Sequence, residues 1–313
     1  MPQSTTSAGR RSNTVRTPRR RTTKARRIDE LILLVFTLPA LIIYIVFFVL
    51  PTLQSAQYSI TNWDGFSDTF DYVGINNFVR AITGDSLFTS SLVNNLKFWI
   101  IVLIFQTLGA LLLAVMLFRN SRSTSVLRGL FFFPTILSSI SVAYIWKFIY
   151  DPNYGLGNGL LQLFGASSSF LGNNDTAIYW VALTQVWFHA GQMMTIFIAG
   201  LQSVPQEMLE AAAVDGASRW RTFTAITWPM IAPATSIVLA YTTIQSFKAF
   251  DVILGLAGNP PKPSMDILST RIYTTFANNQ FGYAAAEAIL FVLVIVILNG
   301  GVRRLVGLTQ AGS

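Results

Sequence analysis

Residues 96–118 read LKFWIIVLIFQTLGALLLAVMLF, with Lys97 as the single charge. About 20 apolar residues are what a helix needs to cross the hydrocarbon core of a bilayer. Inside that core every backbone N–H and C=O must be satisfied by the chain itself, so such a run is a helix. Five other stretches have the same character: Leu31–Leu50, Gly129–Ile149, Ala177–Leu201, Met230–Phe250 and Tyr283–Val302. The expected fold is an all-α membrane protein with six transmembrane helices. Pro39, Pro134, Pro229 and Pro233 lie in or at the ends of spans, where kinks are tolerated if neighbours satisfy the freed carbonyls.

Composition agrees. Of 313 residues, 52% are hydrophobic and 12% charged, against about 25% charged in a soluble domain. The mean hydropathy is +0.51. Cysteine is absent, which excludes disulfides, thiolate metal sites and cysteine nucleophiles. A net charge of +8 would suggest nucleic acid in a soluble protein, but its placement argues against a nucleic-acid partner. Residues 1–27 hold nine Lys or Arg and no acid, among Ser, Thr, Pro and Gly. They read as a disordered basic cytoplasmic tail that touches anionic membrane lipid, with residues 28–313 as the transmembrane domain. A signal peptide does not fit: the apolar run that follows is too long and has no A-x-A-like site behind it.

Charge placement orients the spans. With the amino terminus inside, basic residues number 16 on inner segments and 6 on outer ones. Asp64, Asp68, Asp71, Asp85, Asp151, Asp175, Asp251 and Asp266 all fall outside. The positive-inside rule then puts both termini in the cytoplasm. Three outer loops are long: Pro51–Asn95, Asp151–Thr176 and Asp251–Gly282. The first is rich in Trp, Tyr, Phe and Asn and is expected to fold as a small cap. Such outer surface suits a protein that docks a soluble partner.

The largest inner loop, residues 202–228, reads QSVPQEMLEAAAVDGASRWRTFTAITW. Ser203 is a plausible N-cap, with Pro205 early in the first turn and Glu207 near the positive helix end. Met208, Leu209, Ala211, Ala212 and Ala213 are good helix formers. Asp215 and Gly216 end the helix, glycine supplying the left-handed conformation of a C-cap. Ser218 caps a second helix leading back to the membrane. The result is a helix–turn–helix at the cytoplasmic face, suited to receiving force from a soluble partner.

Glu210-Ala211-Ala212, Gly216 four residues beyond, and Ile226-Thr227-Trp228-Pro229 resemble the E-A-A-x3-G-x9-I-x-L-P loop of ABC importer permeases, with Trp228 in place of the usual Leu. Pro51–Ile60, Tyr72–Phe78 and Asn153–Asn158 are similar to the carbohydrate-importer branch, of maltose or glycerol-phosphate permease type. The resemblance implies that a coupling helix bearing Glu210, Ala211, Ala212, Asp215 and Gly216 inserts into an ATP-binding subunit. It further implies a second homologous permease, an extracytoplasmic solute-binding protein and the inner membrane of a prokaryote. The chain has no G-x-x-x-x-G-K-[ST] loop to cradle phosphates, so ATP and Mg belong on the partner ATPase and no cofactor is expected here. With one His and no HExxH, zinc catalysis is not expected.

A sugar-like solute needs hydrogen bonds and flat apolar faces. Span three offers Thr135, Ser138, Ser139 and Ser141; span four offers Gln185, Trp187, His189 and Gln192; span five offers Gln245, Ser246 and Lys248. By similarity to the maltose-transporter permease, the solute-facing positions are Thr135, Ser139, Gln185, Phe188, His189, Gln192, Ser246 and Ala249. Ser and Thr in membrane helices also bond to the preceding turn, and Lys147 and Lys248 near outer helix ends read as snorkelling anchors. Glu287, about 7 Å inside span six at 1.5 Å per residue, is expected to face protein. The alternatives are a permease for a polyamine, phosphate or peptide, a secondary transporter, and an intramembrane enzyme.

Overall fold

The computed structural model describes residues 23–311, with side chains placed at 31, 33–302 and 304. Residues 1–22 of the expected basic tail lie outside the described residues. The chain is predominantly helical over the described residues. Among the described residues there is no strand, only an isolated antiparallel bridge between Thr61 and Tyr72. It divides into Met1–Gln54 and Ser55–Ser313.

In the first unit the Thr23–Tyr44 helix passes into a wide π-turn at Ile45–Val49. Thr37 donates its hydroxyl to the Leu33 carbonyl at 2.8 Å, so its polar atom is satisfied on its own helix. Helix continues over Leu50–Tyr58, and the apolar stretch Leu33–Tyr58 is long enough for a span. The loop expected to begin at Pro51 therefore begins after Tyr58. Widening of the preceding turn lets the helix carry on past a residue that has no N–H to donate.

In the second unit Ser86–Leu117 starts on Asp85, whose carboxylate accepts from the N–H groups of Leu87 and Phe88 at 2.9 and 3.0 Å. At the other end the Arg128 guanidinium donates to the Leu117 carbonyl at 2.8 Å, closing a helix C-terminus with a cation. Arg122–Phe132 begins on a capping box made by Ser121 and Thr124.

The expected third span is not one straight helix. Arg122–Ile136 and Ser139–Ile149 meet at 101°. Pro134 brings no N–H, and Leu137 and Ser138 are extended, with ψ of 154° and 136°. The fifth bends likewise: Arg219–Met230 and Ala232–Phe247 meet at 67°, between Pro229 and Pro233. Among the described residues three helices are long and apolar enough to cross a membrane, or up to five if each bent pair is one span. The 26-residue Ala177–Gln202 helix is long enough, but Thr184, Gln185, His189 and Gln192 lower its apolarity.

That helix is the one the others surround. Its Ala177, Val181 and Ala182 pack with Phe98, Val102, Val142 and Val252. Further along, Met193, Met194 and Phe197 pack with Ala110, Ala114 and Val238. Lipid is as apolar as leucine, so close packing and interhelical hydrogen bonds hold such helices together, rather than expulsion from water. Gln106 donates to Thr242 and Gln245 at 3.1 and 3.3 Å, and Trp99 Nε1 to Thr243 at 3.1 Å.

Tyr58, Trp63, Phe70, Tyr72 and Phe281 form an aromatic cap, the Tyr58 and Trp63 rings 4.2 Å apart. The Asp64 carboxylate accepts from the backbone N–H groups of Ser67 and Phe66 and from the Ser67 hydroxyl, which holds its pKa at about 2. Behind the cap, Arg271 lies 3.0 Å from Asp85 and 3.6 Å from Glu287. Glu287 is wholly buried, so it does face protein.

Candidate solute cleft and docking loop

A cleft of about 210 Å³ opens between the middle of Ala177–Gln202 and two helix breaks. Ser139 comes from the start of the Ser139–Ile149 helix, directly after the extended Leu137 and Ser138. Ala249 occupies the break between Ala232–Phe247 and Phe250–Ala257, with φ −74° and ψ 30°. Irregular backbone at membrane depth is tolerated where it lines a cavity or is covered by protein.

Five of the eight expected solute-path residues share this cleft: Ser139, Gln185, Phe188, His189 and Ala249. The other three do not line it. Thr135 donates its hydroxyl to the Phe188 carbonyl at 3.1 Å, fastening one wall. Gln192 is held by neighbours, donating to the Tyr241 hydroxyl at 3.3 Å and accepting from Gln245 at 3.4 Å. Ser246 has 0% exposure and bonds the Thr242 carbonyl at 2.8 Å, so it faces the core.

Tyr241, Ile244, Asp251 and Val252 also line the cleft and were not anticipated, and the exposed Lys248 borders it as well. A signal was available: Tyr241, Gln245 and Lys248 recur at i, i+4 and i+7, one face of a helix. Gln185 is 1% exposed, and neither its Oε1 nor His189 Nδ1 has a partner among the described residues. The rings of Phe188 and His189 lie 4.0 Å apart. An unpartnered amide acceptor and imidazole nitrogen thus lie just behind a wall that also carries a phenol and a flat apolar ring. Lys248 and Asp251 add one charge of each sign.

The 202–228 loop folds as a helix over Gln206–Val214. Ser203 is not its N-cap. Its hydroxyl bonds back to the Gly200 carbonyl at 2.7 Å, closing the preceding helix, and Pro205 occupies the cap position without a side-chain bond. Only Ser203 and Val204 separate that helix end from Pro205, so one hydroxyl serves the earlier end. Gly216 has φ +74°, the left-handed region. The Ala217 N–H reaches the Ala212 carbonyl at 2.9 Å and the Gly216 N–H reaches Ala213 at 3.2 Å, together a Schellman ending. Ser218 then accepts from the Arg221 N–H at 3.3 Å. Ala212 is buried against the bundle, whereas Glu210, Ala211, Asp215 and Gly216 are exposed. Val214 beside them is 87% exposed.

The sequence profile of the binding-protein-dependent transport system inner membrane components matches residues 106–307, which include the cleft and the loop. The chain belongs to this family. It is 34% identical to the multiple sugar-binding transport system permease protein MsmF of Streptococcus mutans serotype c, over 84% of this chain and 91% of that one. It is 31% identical to the diacetylchitobiose uptake system permease protein NgcF of Streptomyces coelicolor, over 95% of this chain and 87% of that one. In fold it is similar to a bacterial alginate ABC transporter, solved in complex with an alginate pentasaccharide-bound periplasmic protein. The TM-score is 0.77 at 22% identity, covering 92% of this chain and 97% of the other. This permease is accordingly a membrane component of an ABC importer, and the intramembrane-enzyme reading falls away.

Proposed function

We propose that this permease is one of two homologous subunits that pass a sugar-like solute from an extracytoplasmic binding protein into the cytoplasm. In this reading six spans cross the inner membrane of a prokaryote and both termini are cytoplasmic. The Gln206–Gly216 loop docks on an ATP-binding subunit that holds ATP and Mg and supplies the driving force. The cap and the other outer loops receive the binding protein.

The observation that carries the solute class is the buried, unpartnered Gln185 acceptor beside a cleft whose lining holds one charge of each sign. A buried acceptor left without a partner costs about 1–3 kcal/mol, and a solute hydroxyl would satisfy it. Phe188 provides the flat apolar surface that a sugar ring covers. Lys248 and Asp251 cancel, which favours an uncharged solute over a polyamine or phosphate. At about 210 Å³ the cleft is smaller than the roughly 300–1,000 Å³ usual for a ligand pocket. A second permease would contribute the facing wall.

Gln185→Leu keeps the volume and removes the acceptor. Binder-dependent uptake should fall severalfold while the ATP-binding subunit still co-purifies; unchanged uptake would sink the solute role. The topology is tested by single cysteines. Ser67→Cys, Ser167→Cys and Ser264→Cys should react with an impermeant thiol reagent from outside and Ser218→Cys should not; the reverse pattern refutes the orientation.

A further inference from the structure

A groove of about 940 Å³ runs along the inner end of Ser86–Leu117 and belongs neither to the solute cleft nor to the exposed docking face. Leu108, Leu112 and Val115 form its floor, and Leu209 and Ala213 of the loop helix form the opposite wall. Its apolar lining ends in two cations, Arg119 and Arg219, with no acid beside them. Among the described residues neither guanidinium has an ion-pair or hydrogen-bond partner. Trp220 also lines the groove and is 74% exposed, the residue type that favours the headgroup level of a membrane.

We infer that this groove holds an anionic phospholipid, its headgroup on Arg119 and Arg219 and an acyl chain along Leu108–Val115. The dimensions fit one leaflet. From Leu108 to Leu117 the helix rises about 14 Å, close to half of the roughly 30 Å hydrocarbon core. The chemistry fits as well, because an apolar trough closed by cations matches a negative headgroup on a hydrocarbon tail, whereas a neutral lipid would leave both guanidinium groups without a counter-charge. The cytoplasmic leaflet follows from the topology proposed above; the groove itself does not depend on it. A lipid seated here is wedged between a membrane helix and the back of the docking helix, so membrane composition reaches the loop directly.

The test uses the complete transporter in bilayer nanodiscs that contain acyl-brominated phosphatidylglycerol or, at equal mole fraction, acyl-brominated phosphatidylcholine. Bromine quenches nearby tryptophan, and the Trp220 signal is the difference between wild type and Trp220→Phe. Phosphatidylglycerol should quench it more strongly, with a preference of roughly fivefold per arginine at low salt. Arg119→Gln/Arg219→Gln should erase the preference, and Arg119→Lys/Arg219→Lys should keep it. Equal quenching by the two lipids, no quenching by either, or a preference that survives the glutamine changes would each overturn the inference. No quenching would mean that another helix covers the groove. The wild-type comparison of lipids stands whether or not the glutamine variant assembles. Co-purification of the ATP-binding subunit tests the docking role of the loop separately, since it does not depend on lipid charge.

Discussion

A Cβ added to Gly191 would lie 1.9 Å from the carbonyl oxygen of Phe131, so the central helix meets the end of Arg122–Phe132 at backbone distance. The obstacle is backbone and cannot turn aside as a side chain could. His189 and Gln192 flank this crossing, and the position of the cleft wall depends on it. Gly191→Ala should lower the stability of the purified complex by about 1–3 kcal/mol, the usual range for overpacking. Thermal unfolding in detergent reads this directly, and uptake should fall with it. A variant as stable as wild type would show that the two helices can separate freely.

The Gly216 turn calls for a different substitution series. No atom lies within 4 Å of the place where its Cβ would go, so space is not the constraint and the positive φ is. Gly216→Asn should retain most uptake, because asparagine tolerates the left-handed region, and Gly216→Ala should be impaired by about 1–2 kcal/mol of local strain. Gly216→Pro, locked at negative φ, should abolish uptake while membrane insertion stays normal. The docking role would not survive normal transport by a well-expressed Gly216→Pro protein.

Arg271 ties Glu287, which is fully buried, to Asp85. Arg271→Met would strand the buried carboxylate, at a cost of about 3–5 kcal/mol. Arg271→Met/Glu287→Leu should recover much of that loss, since replacing both partners by apolar groups is often neutral. A double-mutant cycle on thermal stability measures the coupling, and purely additive losses would mean that the two groups do not interact.

The carboxylates of Asp85 and Asp266 respond to pH in opposite senses. Partial burial pushes the Asp85 carboxyl up, but the Phe88 N–H, the Tyr283 hydroxyl and Arg271 outweigh it and hold the pKa below the ordinary 3.8. Its contribution is present above that value and lost as the pH falls through the lower folded value. For Asp266 burial wins over Thr270 and Ser91 and the pKa rises. Its contribution is present at acid pH and lost as the pH rises through the folded value. Asp85→Asn should make the complex less sensitive to acid, and Asp266→Asn should raise its stability at neutral pH relative to wild type. Identical pH profiles for both variants and wild type would refute the assignment.

Gln192 belongs to a chain of amides, Gln106 to Gln245 to Gln192, that ends at Tyr241 and links three helices. Gln192→Ala should therefore weaken the bundle, at about 0.6 kcal/mol per interhelical bond, more than it weakens solute affinity. Uptake measured over a range of solute concentrations separates the two. A loss confined to apparent affinity, with stability unchanged, would return Gln192 to the solute path.

Long apolar runs and the Gly216 ending were legible because each rests on local chemistry: a period, a cap, a permitted φ. The bends at Leu137 and Ile231 were signalled only by nearby prolines, since a proline frees a carbonyl without saying how far the axis will turn. Gln245 and Ser246 show the limit most clearly. Neighbours on a helix point about 100° apart, so a small rotation set by packing decides which enters the cleft. Ser203 was assigned to the wrong helix end because two ends lie nearly adjacent in sequence. The pairing of Arg271 with Asp85 spans 186 residues, and no local pattern encodes it.

The aromatic cap draws its halves from distant parts of the chain. Trp63 and Phe281 lie 5.5 Å apart, and the Gly282 N–H donates to the Trp63 carbonyl at 2.9 Å. A ribosome adding about 5–20 residues per second needs roughly 10–40 s to travel from one to the other. Throughout that interval the early half is made while its later partner does not yet exist. Cap closure therefore cannot precede synthesis of the first turn of the Phe281–Ala311 helix, and a nascent chain cut short before Phe281 leaves the aromatic rings of the early half without their closing partner.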